Sequence, residues 1–272
     1  METVQLDKTQ EDLVGVSHPE SGIAVMTLNA PQSRNCLSRA MLGALTTTLE
    51  SLNADPATKV IVIDAQGPAF CAGHDLKELT KHRQDDDGGR AFFAATMAEC
   101  AHLMKSIVTC RKPVIACVHA TATAAGCQLV ASCDLAVASV DAKFCTPGVN
   151  IGLFCSTPMV ALSRNVSRKH AMEMLLLGEM VSAGDAARMG LVNKVVENSE
   201  VMEQALQFAR KIAAKSTHTV SVGKEAFYKQ LEISLTDAYD YASKVMVENM
   251  MDQDAKEGIC AFLEKRPASW KA

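Results

Sequence analysis

The stretch that decides the fold is Ala125-Gly126-Cys127-Gln128-Leu129-Val130-Ala131-Ser132-Cys133-Asp134-Leu135-Ala136-Val137-Ala138-Ser139, a helical segment of small residues that runs into an apolar strand. Its strand repeats a pattern found at Val60-Ile61-Val62-Ile63 and at Val114-Ile115-Ala116-Cys117-Val118, where continuous apolar runs indicate strands buried on both faces. Helical stretches separate these strands along the chain. The alternation predicts an α/β core with short parallel strands.

The same alternation extends over the first two hundred residues. Further strands are predicted at Ile23-Ala24-Val25-Met26-Thr27-Leu28 and at residues 191–196. A helix from about residue 38 to residue 52 places Met41, Leu45 and Leu49 on one face. Other helices are predicted near residues 91–109, 158–177 and 182–189.

Beyond residue 197 the pattern changes, and no further strand is predicted. Amphipathic helices are expected at about residues 200–214, 219–230, 234–251 and 254–264. Val245, Met246, Met250 and Met251 give them apolar surface that has to be buried on the core or on another subunit. We therefore divide the chain into an α/β core, residues 1–197, and a C-terminal helical oligomerisation region, residues 198–272.

The composition limits the class of protein. With 272 residues, the chain is long enough for one large domain or for a core domain with an appendage. Its 48% apolar and 21% charged residues are typical of a globular protein, and a net charge of −4 gives no overall basic surface for nucleic acid. The longest apolar runs are far too short to span a bilayer.

The N-terminus and the cysteines bear on the cellular compartment. The first residues, Met1-Glu2-Thr3-Val4-Gln5-Leu6-Asp7, are acidic and resemble neither a secretory signal nor an Arg-rich transit peptide. A transit peptide removed ahead of residue 1 stays open. The ten cysteines include no Cys-x-x-Cys pair and no metal-ligand spacing, so buried thiols in a reducing compartment are favoured over disulfides.

Two segments rich in small residues follow predicted strands and lead into helices. They are Ala69-Phe70-Cys71-Ala72-Gly73-His74-Asp75-Leu76-Lys77-Glu78-Leu79 and Ala120-Thr121-Ala122-Thr123-Ala124-Ala125-Gly126-Cys127-Gln128. A helix start leaves backbone N–H groups unpaired, so two such turns facing each other can donate to one oxygen that gains negative charge. Close packing of strand against helix is the alternative explanation for either segment alone.

These segments resemble signatures of the crotonase (enoyl-CoA hydratase/isomerase) superfamily. The resemblance continues, in the family's order, through Leu28-Asn29-Ala30-Pro31 with Asn35-Cys36-Leu37, Lys112-Pro113-Val114-Ile115-Ala116, the stretch at 125–139, Phe144 to Leu153, Leu177-Gly178-Glu179 before Ser182-Ala183, and Phe262-Leu263-Glu264-Lys265-Arg266-Pro267. It covers nearly the whole chain, which makes accidental agreement improbable.

The resemblance implies a crotonase-like spiral of β-β-α turns followed by a helical trimerisation region, assembled as a homotrimer or homohexamer. It implies an acyl-CoA as ligand or substrate, with no other cofactor and no metal. The backbone N–H groups of His74 and Ala125 would then form an oxyanion hole for the thioester oxygen. The family usually has alanine and glycine at these two places, so this chain adds an imidazole and a methyl group.

The two glutamates of the family's hydratases are absent. Gln128 and Gly148 stand in their places. The Gln128 amide can orient a water molecule but cannot take a proton near neutral pH, and Gly148 has no side chain. Loss of a general acid or base typically costs about 10²–10⁴-fold in rate. Efficient hydration is therefore not expected, and no catalytic residue is assigned securely.

Four other residues are weaker candidates for proton transfer or nucleophilic attack: His74, Asp75, Cys155 and Ser156. The His74 imidazole titrates near neutral pH, although a packed histidine is the simpler interpretation. Asp75 is expected to cap its helix. Cys155 has no evident base beside it, and Ser156 occupies a position where some family members carry an acid.

Coenzyme A binding requires contacts to the thioester and cations for the phosphates. The resemblance places the contacts around the thioester at Ala72, Gly73, His74, Asp75, Leu76 and Gly126. Arg34 and Lys265 are the candidate cations, with Arg266 next to the latter. Trp270 is expected to anchor packing rather than stack on a ligand.

Two functions stay open from the sequence. One is an enzyme of the hydratase/isomerase type whose acid or base is displaced from positions 128 and 148. The other is a non-catalytic acyl-CoA-binding or structural oligomeric protein of fatty acid metabolism. By resemblance the protein is placed in the mitochondrial matrix, with the cytoplasm as the alternative because no targeting segment is visible.

Overall fold

The computed structural model describes residues 13–270, so the acidic N-terminal segment lies outside the described residues. The described residues form nine strands: β1 (Val14–Glu20), β2 (Ile23–Leu28), β3 (Val60–Ala65), β4 (Val114–Val118), β5 (Ala122–Thr123), β6 (Leu135–Ser139), β7 (Lys143–Cys145), β8 (Val181–Ser182) and β9 (Lys194–Val196). They also form eleven α-helices: α1 (Arg39–Ala54), α2 (Leu76–His82), α3 (Arg90–Thr109), α4 (Ala125–Ser132), α5 (Pro158–Asn165), α6 (Arg168–Leu177), α7 (Ala183–Met189), α8 (Val201–Ala213), α9 (Thr217–Gln230), α10 (Leu235–Met251) and α11 (Gln253–Leu263).

The main sheet has six strands in the order β1-β2-β3-β4-β6-β9. Strand β1 is antiparallel to β2, and every other neighbouring pair in this sheet is parallel. The register pairs Ile61 with Val114 and Ala116 with Ala136. Because parallel neighbours place their carboxyl ends on the same edge, the segments that follow β3 and β4 lie side by side.

Both faces of this sheet are covered, which explains the continuous apolar runs. On one face Val62, Ile115 and Val137 pack in a cluster with Val201 and Ala205 of α8. The opposite face carries Ile61, Ile63 and Ala116, which belong to the larger core cluster with the apolar sides of α1 and α3. A strand buried on both sides has no polar alternation to display. The predicted parallel α/β core is confirmed.

A second sheet of three short strands, in the order β5-β7-β8, is not predicted from the sequence. Strand β5 is parallel to β7, with Ala122 opposite Phe144 and Thr123 opposite Cys145. The turn that follows β5 is fixed to this small sheet, since the Ala124 N–H donates to the Cys145 carbonyl at 2.8 Å. The small sheet therefore positions the start of α4.

The structure differs from the prediction in two further places, a helix that is divided and an additional strand. The single helix predicted at 158–177 is two helices, α5 and α6, because Val166 adopts an extended conformation and Ser167 caps a new helix through the His170 N–H. Strand β1 was not predicted. It is an edge strand whose residues are mostly exposed and include Gly15 and Pro19, so it lacks the apolar signal of the central strands.

The C-terminal region is helical, and no strand follows Val196 within residues 13–270. Helix α8 covers one face of the main sheet, whereas α9, α10 and α11 expose many large apolar side chains. A largely buried ion pair joins α9 to the core: Lys224 Nζ lies 2.6 Å from Asp134 Oδ2. The division at residues 197 and 198 stays a prediction.

Candidate functional site

The turns that follow β3 and β5 contact each other directly. Gly73 has a φ of +87°, and a β-carbon built on it would lie 2.8 Å from the Ala124 Cβ and 3.3 Å from the Ala125 nitrogen. A side chain at position 73 is excluded both by the backbone conformation and by this contact. The condition stated for the two small-residue turns, that they face each other, is therefore met.

Hydrogen bonds hold the two turns together. The Thr123 N–H donates to the Cys71 carbonyl at 2.9 Å, and the Thr123 hydroxyl donates to the Ala72 carbonyl at 3.1 Å. Gly126, in the first turn of α4, lies so close that a β-carbon on it would be 2.2 Å from the Cys71 oxygen. The glycines at 73 and 126 thus allow a close approach of backbone to backbone.

Two backbone donors of these turns are free. Within residues 13–270, neither the His74 N–H nor the Ala125 N–H donates a hydrogen bond to another residue. Ala125 is the first residue of α4, where the backbone N–H has no partner inside the helix. The geometry therefore provides two unpaired donors on contacting turns, the arrangement needed to hold one oxygen.

The segment from Ala30 to Leu37, called the brace below, supports the first turn, which is the turn around Gly73 that follows β3. The Leu37 N–H donates to the Gly73 carbonyl at 2.7 Å, and the Ala72 N–H donates to the Arg34 carbonyl at 3.0 Å. Asn35 is fully buried and makes three bonds: its Oδ1 accepts from Ala30, and its Nδ2 donates to the carbonyls of residues 66 and 69. The sequence reasoning missed this role of Asn35, although an asparagine at a φ of +53° is typical of such a turn.

The His74 imidazole folds back onto the brace. Its Nδ1 lies 3.3 Å from the Leu37 carbonyl oxygen, and its Nε2 is enclosed without a hydrogen-bond partner among the described residues. Burial lowers the pKa of His74 below its ordinary value of 6.5, and the bond to Leu37 opposes that change only in part. The ring is therefore neutral at neutral pH.

Asp75 is the N-cap of α2, as the sequence indicated. Its Oδ1 accepts from the N–H groups of Lys77 and Glu78, at 2.9 and 3.2 Å. Its Oδ2 lies 3.4 Å from the Cys36 sulfur. Both carboxylate oxygens are thus used for local structure.

Gln128 is buried in α4, with its Oε1 4.0 Å from the Cys100 sulfur of α3. No carboxylate stands at this position, and burial raises the pKa of the Cys100 thiol to about 12. Neither side chain can accept a proton near neutral pH. Gln128 therefore lies in the protein core, one helical turn from Ala124, without the chemistry of a base.

Gly148 lacks room for a side chain as well as the side chain itself. A β-carbon at this position would lie 2.6 Å from the Leu153 carbonyl oxygen and 2.9 Å from the Cys155 sulfur. The chain returns here because the Leu153 N–H donates to the Gly148 carbonyl at 2.9 Å. The segment that ends at Cys155 fills the space beside Gly148.

The remaining catalytic candidates have weak positions. Ser156 is exposed, and its hydroxyl lies 3.4 Å from the Phe154 carbonyl. Cys155 accepts a hydrogen bond from the Gly148 N–H at 3.4 Å, and burial raises the pKa of its thiol. Nearby, the fully buried Thr146 hydroxyl has no partner among the described residues. No sequence pattern singles out this threonine.

The predicted coenzyme A contacts are only partly brought together. Arg34 is exposed and lies next to the first turn through its carbonyl bond to Ala72, and Leu76 is exposed at the start of α2. Lys265 follows α11 and contacts neither turn through a hydrogen bond among the described residues. Arg266 is paired with Glu257 and Glu264.

Trp270 is a packing anchor, as expected. Its Nε1 donates to the Ala214 carbonyl at 2.8 Å, and its ring lies against Gly258. All ten cysteines are free thiols, and eight of them are buried. In the described part of the chain, no cluster of metal-ligating side chains occurs, and no helix is long and apolar enough to cross a membrane.

Comparison with known sequences gives one family over most of the chain. The sequence model described as enoyl-CoA hydratase/isomerase matches residues 18–272. The mouse protein named enoyl-CoA hydratase domain-containing protein 3, mitochondrial, is 48% identical over 251 residues, which is 92% of this chain and 82% of that protein.

Comparison with solved structures agrees. The crystal structure of the human enoyl coenzyme A hydratase domain-containing protein 3 has a TM-score of 0.90 and 48% identity, and the match covers 95% of this chain and 100% of that one. An enoyl-CoA hydratase from Mycobacterium smegmatis has the same TM-score and identity, over 95% of this chain and 98% of that one. The crotonase-like fold class that the sequence predicts is confirmed.

Proposed function

This chain belongs to the enoyl-CoA hydratase/isomerase family, and on that premise we propose that it binds an acyl-CoA and holds the thioester oxygen between the backbone N–H groups of His74 and Ala125. The observation that carries the proposal is the contact between the two turns that leaves both donors unpaired. Two aligned donors stabilise an oxygen that gains negative charge, and removing one such donor costs about 10²–10³-fold in other enzymes.

Classical hydration is inefficient in this protein. Hydration requires one group to activate water and one to protonate carbon α, and the two family positions hold Gln128 and Gly148. The amide has no basic pair, and no carboxylate fits at 148 without moving the segment that carries Leu153 and Cys155. The residues at 128 and 148 therefore provide no group to activate water or to protonate carbon α, whereas the two backbone donors for the thioester oxygen are kept.

The crowding at Gly148 also favours the second candidate function, a non-catalytic acyl-CoA-binding or structural oligomeric protein of fatty acid metabolism. Because the chain's own backbone occupies the space beside Gly148, a carboxylate cannot be introduced there by a simple substitution. The two candidates share the binding step and differ only in turnover. A binding measurement therefore tests what they share, and a rate measurement separates them.

Binding is tested by calorimetric titration with acyl-CoA thioesters of several chain lengths, with free coenzyme A as the reference. We expect acyl-CoA to bind and the infrared stretch of a ¹³C-labelled thioester carbonyl to move to lower frequency, because two donors polarise it. Ala125→Gly keeps the N–H and removes the crowding methyl group, so it should preserve the shift. Binding of the acyl-CoA without any shift of its thioester carbonyl stretch would contradict the oxyanion hole.

Turnover is tested with trans-2-enoyl-CoA substrates. We expect the wild-type chain to hydrate them slowly or not at all, and Gln128→Glu to restore part of the rate because it returns one carboxylate. A wild-type rate in the range of ordinary enzymes, about 1–10³ s⁻¹, would contradict the inefficient hydration. Bound but unreacted substrate in every variant would favour the non-catalytic candidate.

The other proposed properties concern assembly, phosphate binding and location. The exposed apolar side chains of α9, α10 and α11 support a homotrimer or homohexamer. Arg34 and Lys265 are proposed to meet the phosphates of coenzyme A, with Lys265 reaching a site only across a subunit boundary. The mitochondrial names of the relatives support a mitochondrial location, with the cytoplasm as the alternative.

A further inference from the structure

We propose that the cleft between α9, α10 and α11 binds an uncharged, mainly apolar molecule that carries a carbonyl group. The cleft opens to solvent and has a volume of about 430 Å³. Small-molecule sites commonly measure about 300–1,000 Å³ and combine an apolar lining with a few polar groups. The proposal concerns a second site and does not rest on the binding of an acyl-CoA.

The cleft lies away from the two turns that carry the candidate oxyanion donors. Val220 of α9 lines the cleft and also borders a small hollow with Lys59 and Pro113. These two residues directly precede β3 and β4, so the cleft lies near the amino edge of the parallel strands. The segments that lead to Gly73 and Ala125 leave the same strands at the opposite, carboxyl edge. A ligand in the cleft is therefore separate from the proposed thioester site.

The accessible lining of the cleft is mostly apolar. Val220 of α9 faces it together with Ile259 of α11 and the Trp270 side chain. Ile259 is 53% exposed, although it stands beside a tryptophan and a valine. An apolar ligand would cover this surface and remove it from water, which is the main source of affinity in sites of this kind.

Hydrogen bonds of the segment that follows α11 hold Trp270 in the cleft wall. Its Nε1 donates to the Ala214 carbonyl at 2.8 Å, and the N–H of the preceding Ser269 donates to Glu257 Oε1 at 2.8 Å. The ring lies against Gly258, where a β-carbon would be 3.2 Å from the indole. The wall is thus formed before a ligand arrives, and a formed wall lowers the entropy cost of binding.

One polar group of the cleft lacks a hydrogen-bond partner. Asn249 lines the cleft from α10, and its Nδ2 is screened from water without a partner among the described residues. An amide nitrogen only donates, and an enclosed donor without an acceptor is uncommon in folded proteins. No hydrogen bond holds this nitrogen in place, and the last torsion of an asparagine side chain is soft. A carbonyl oxygen in the cleft can therefore draw the Asn249 amide towards itself and accept from it.

The charged groups of the cleft disfavour a charged ligand. Asp254, in the first turn of α11, is buried at the cleft and accepts from the Ser216 hydroxyl at 2.5 Å. Lys215 lines the same cleft and is exposed. A ligand anion would meet the Asp254 carboxylate and a ligand cation the Lys215 ammonium group, and either charge would lose hydration in a mostly apolar cleft. A neutral carbonyl group avoids both conflicts.

The only tryptophan of the chain is a local probe for this site, because Trp270 lines the cleft. The full chain is titrated with octanamide, octanoate and octylammonium, which have alkyl chains of similar length and differ in the charge of the head group. We expect octanamide to change the tryptophan emission in a saturable way. Octanoate and octylammonium should bind at least about tenfold more weakly, because a charge is costly in this cleft.

A substitution at Asn249 tests the polar contact. Asn249→Leu should weaken octanamide binding by about 3–10-fold, the effect of one lost hydrogen bond. Its thermal midpoint should stay close to that of the wild type, since Nδ2 has no partner to lose. Gln230→Leu is the control, because it removes an amide of α9 that lies outside the cleft and donates to the Phe227 carbonyl. It should leave the affinity unchanged.

Competition with an acyl-CoA locates the ligand. Octanamide should stay bound when acyl-CoA is added, because the two sites lie at opposite edges of the sheet. Displacement by acyl-CoA, no saturable response to octanamide, equal affinities for the three head groups, or an unchanged affinity in Asn249→Leu would overturn the proposal. Emission that changes on dilution of the protein but not with octanamide would overturn it as well, since a second copy of the chain then covers the cleft. The thioester carbonyl stretch tests the oxyanion hole independently of all these outcomes.

Discussion

At the scale of single residues, Gly148 shows that a missing side chain and a missing space are different losses. Position 148 is buried against the Leu153 carbonyl and the Cys155 sulfur, so even a methyl group has to displace backbone. By contrast, Gln128 occupies a full-sized side-chain position within α4. A glutamate can replace the amide at 128 with little change of volume, whereas position 148 requires a different course of the chain.

The crowding at Gly148 gives a stability prediction. Gly148→Ala should lower the free energy of unfolding by about 1–3 kcal/mol, because overpacking forces a backbone shift. The control is Gly223→Ala, in the interior of α9, where a new β-carbon meets nothing within 4 Å. That change should raise the free energy of unfolding by about 0.5–1 kcal/mol. Urea unfolding of both variants measures the difference, and a wild-type value for Gly148→Ala would contradict the crowding.

Burial of His74 predicts a pH dependence of stability. The folded pKa is lowered, so the unfolded chain binds more protons in the window between the two pKa values. The stability contributed by this residue is complete above the unfolded value of about 6.5 and is lost as the pH falls through the folded value. His74→Gln should flatten the thermal midpoint across this window relative to the wild type. An unchanged pH profile in the variant would show that the ring is not neutral and buried in solution.

The candidate site could be predicted from sequence only where chemistry is local. Asp75 lies directly before a helix, so its cap follows from its type and place. Each small-residue turn was recognised because it follows a strand and leads into a helix, whereas the pairing of the two turns was implied only by the family resemblance. The lack of space at Gly148 depends on the approach of Leu153. The position of the His74 ring depends in the same way on Leu37, which is distant in sequence. No local pattern carries such information.

At the scale of secondary structure, a network around one largely buried carboxylate joins α9 to the core. Asp134 accepts from the Val114 N–H at 2.7 Å, from the Tyr228 hydroxyl at 2.9 Å and from Lys224 at 2.6 Å. Lys224 also donates to the carbonyls of Ile107 and Lys112, both at 3.0 Å. The network joins strand β4, the end of α3 and helix α9. The Lys224 ammonium group has three oxygen acceptors in it.

Breaking this network should cost far more than breaking a surface pair. Lys224→Met leaves the Asp134 carboxylate buried without its cation, and we expect a loss of about 3–5 kcal/mol in the free energy of unfolding. Glu232→Gln is the control, because its pair with Arg164 is exposed on both sides and such pairs contribute about 0–1 kcal/mol. Chemical denaturation compares the two variants. Equal losses would mean that Lys224 and Asp134 do not act as a buried pair.

The sequence predicts long or doubly buried elements well and short ones poorly. Strand Ile23–Leu28 has the predicted bounds, because its apolar run is continuous. The three strands of the small sheet contain two or three residues each, too few to show any periodicity. The break between α5 and α6 was not predicted, because serine also occurs inside helices. Only the structure shows that Ser167 caps a helix by accepting from the His170 N–H.

At the scale of the whole molecule, the C-terminal helices carry many of the exposed large apolar side chains, including the most exposed ones. Phe262 is 82% exposed, Leu235 76% and Leu263 73%, and further exposed side chains of the region include Tyr239, Met246, Val247, Met250 and Met251. Large apolar side chains left exposed on neighbouring elements of a folded chain indicate an interaction surface. Burying these side chains in a subunit interface would favour association by roughly 25 cal/mol per Å² of apolar surface removed from water.

This surface predicts an assembly that a single charge weakens. Phe262→Glu should lower the molar mass measured by light scattering toward that of one chain, because the carboxylate would be buried without a partner at the interface. Val16→Glu is the control: the side chain is 46% exposed on the edge strand β1, outside the C-terminal helices. It should leave the mass unchanged. If both variants keep the wild-type mass, the apolar side chain of Phe262 lies outside the subunit interface. If the wild type is monomeric at all concentrations, the C-terminal helices do not hold copies of this chain together, and Lys265 cannot reach a neighbouring site.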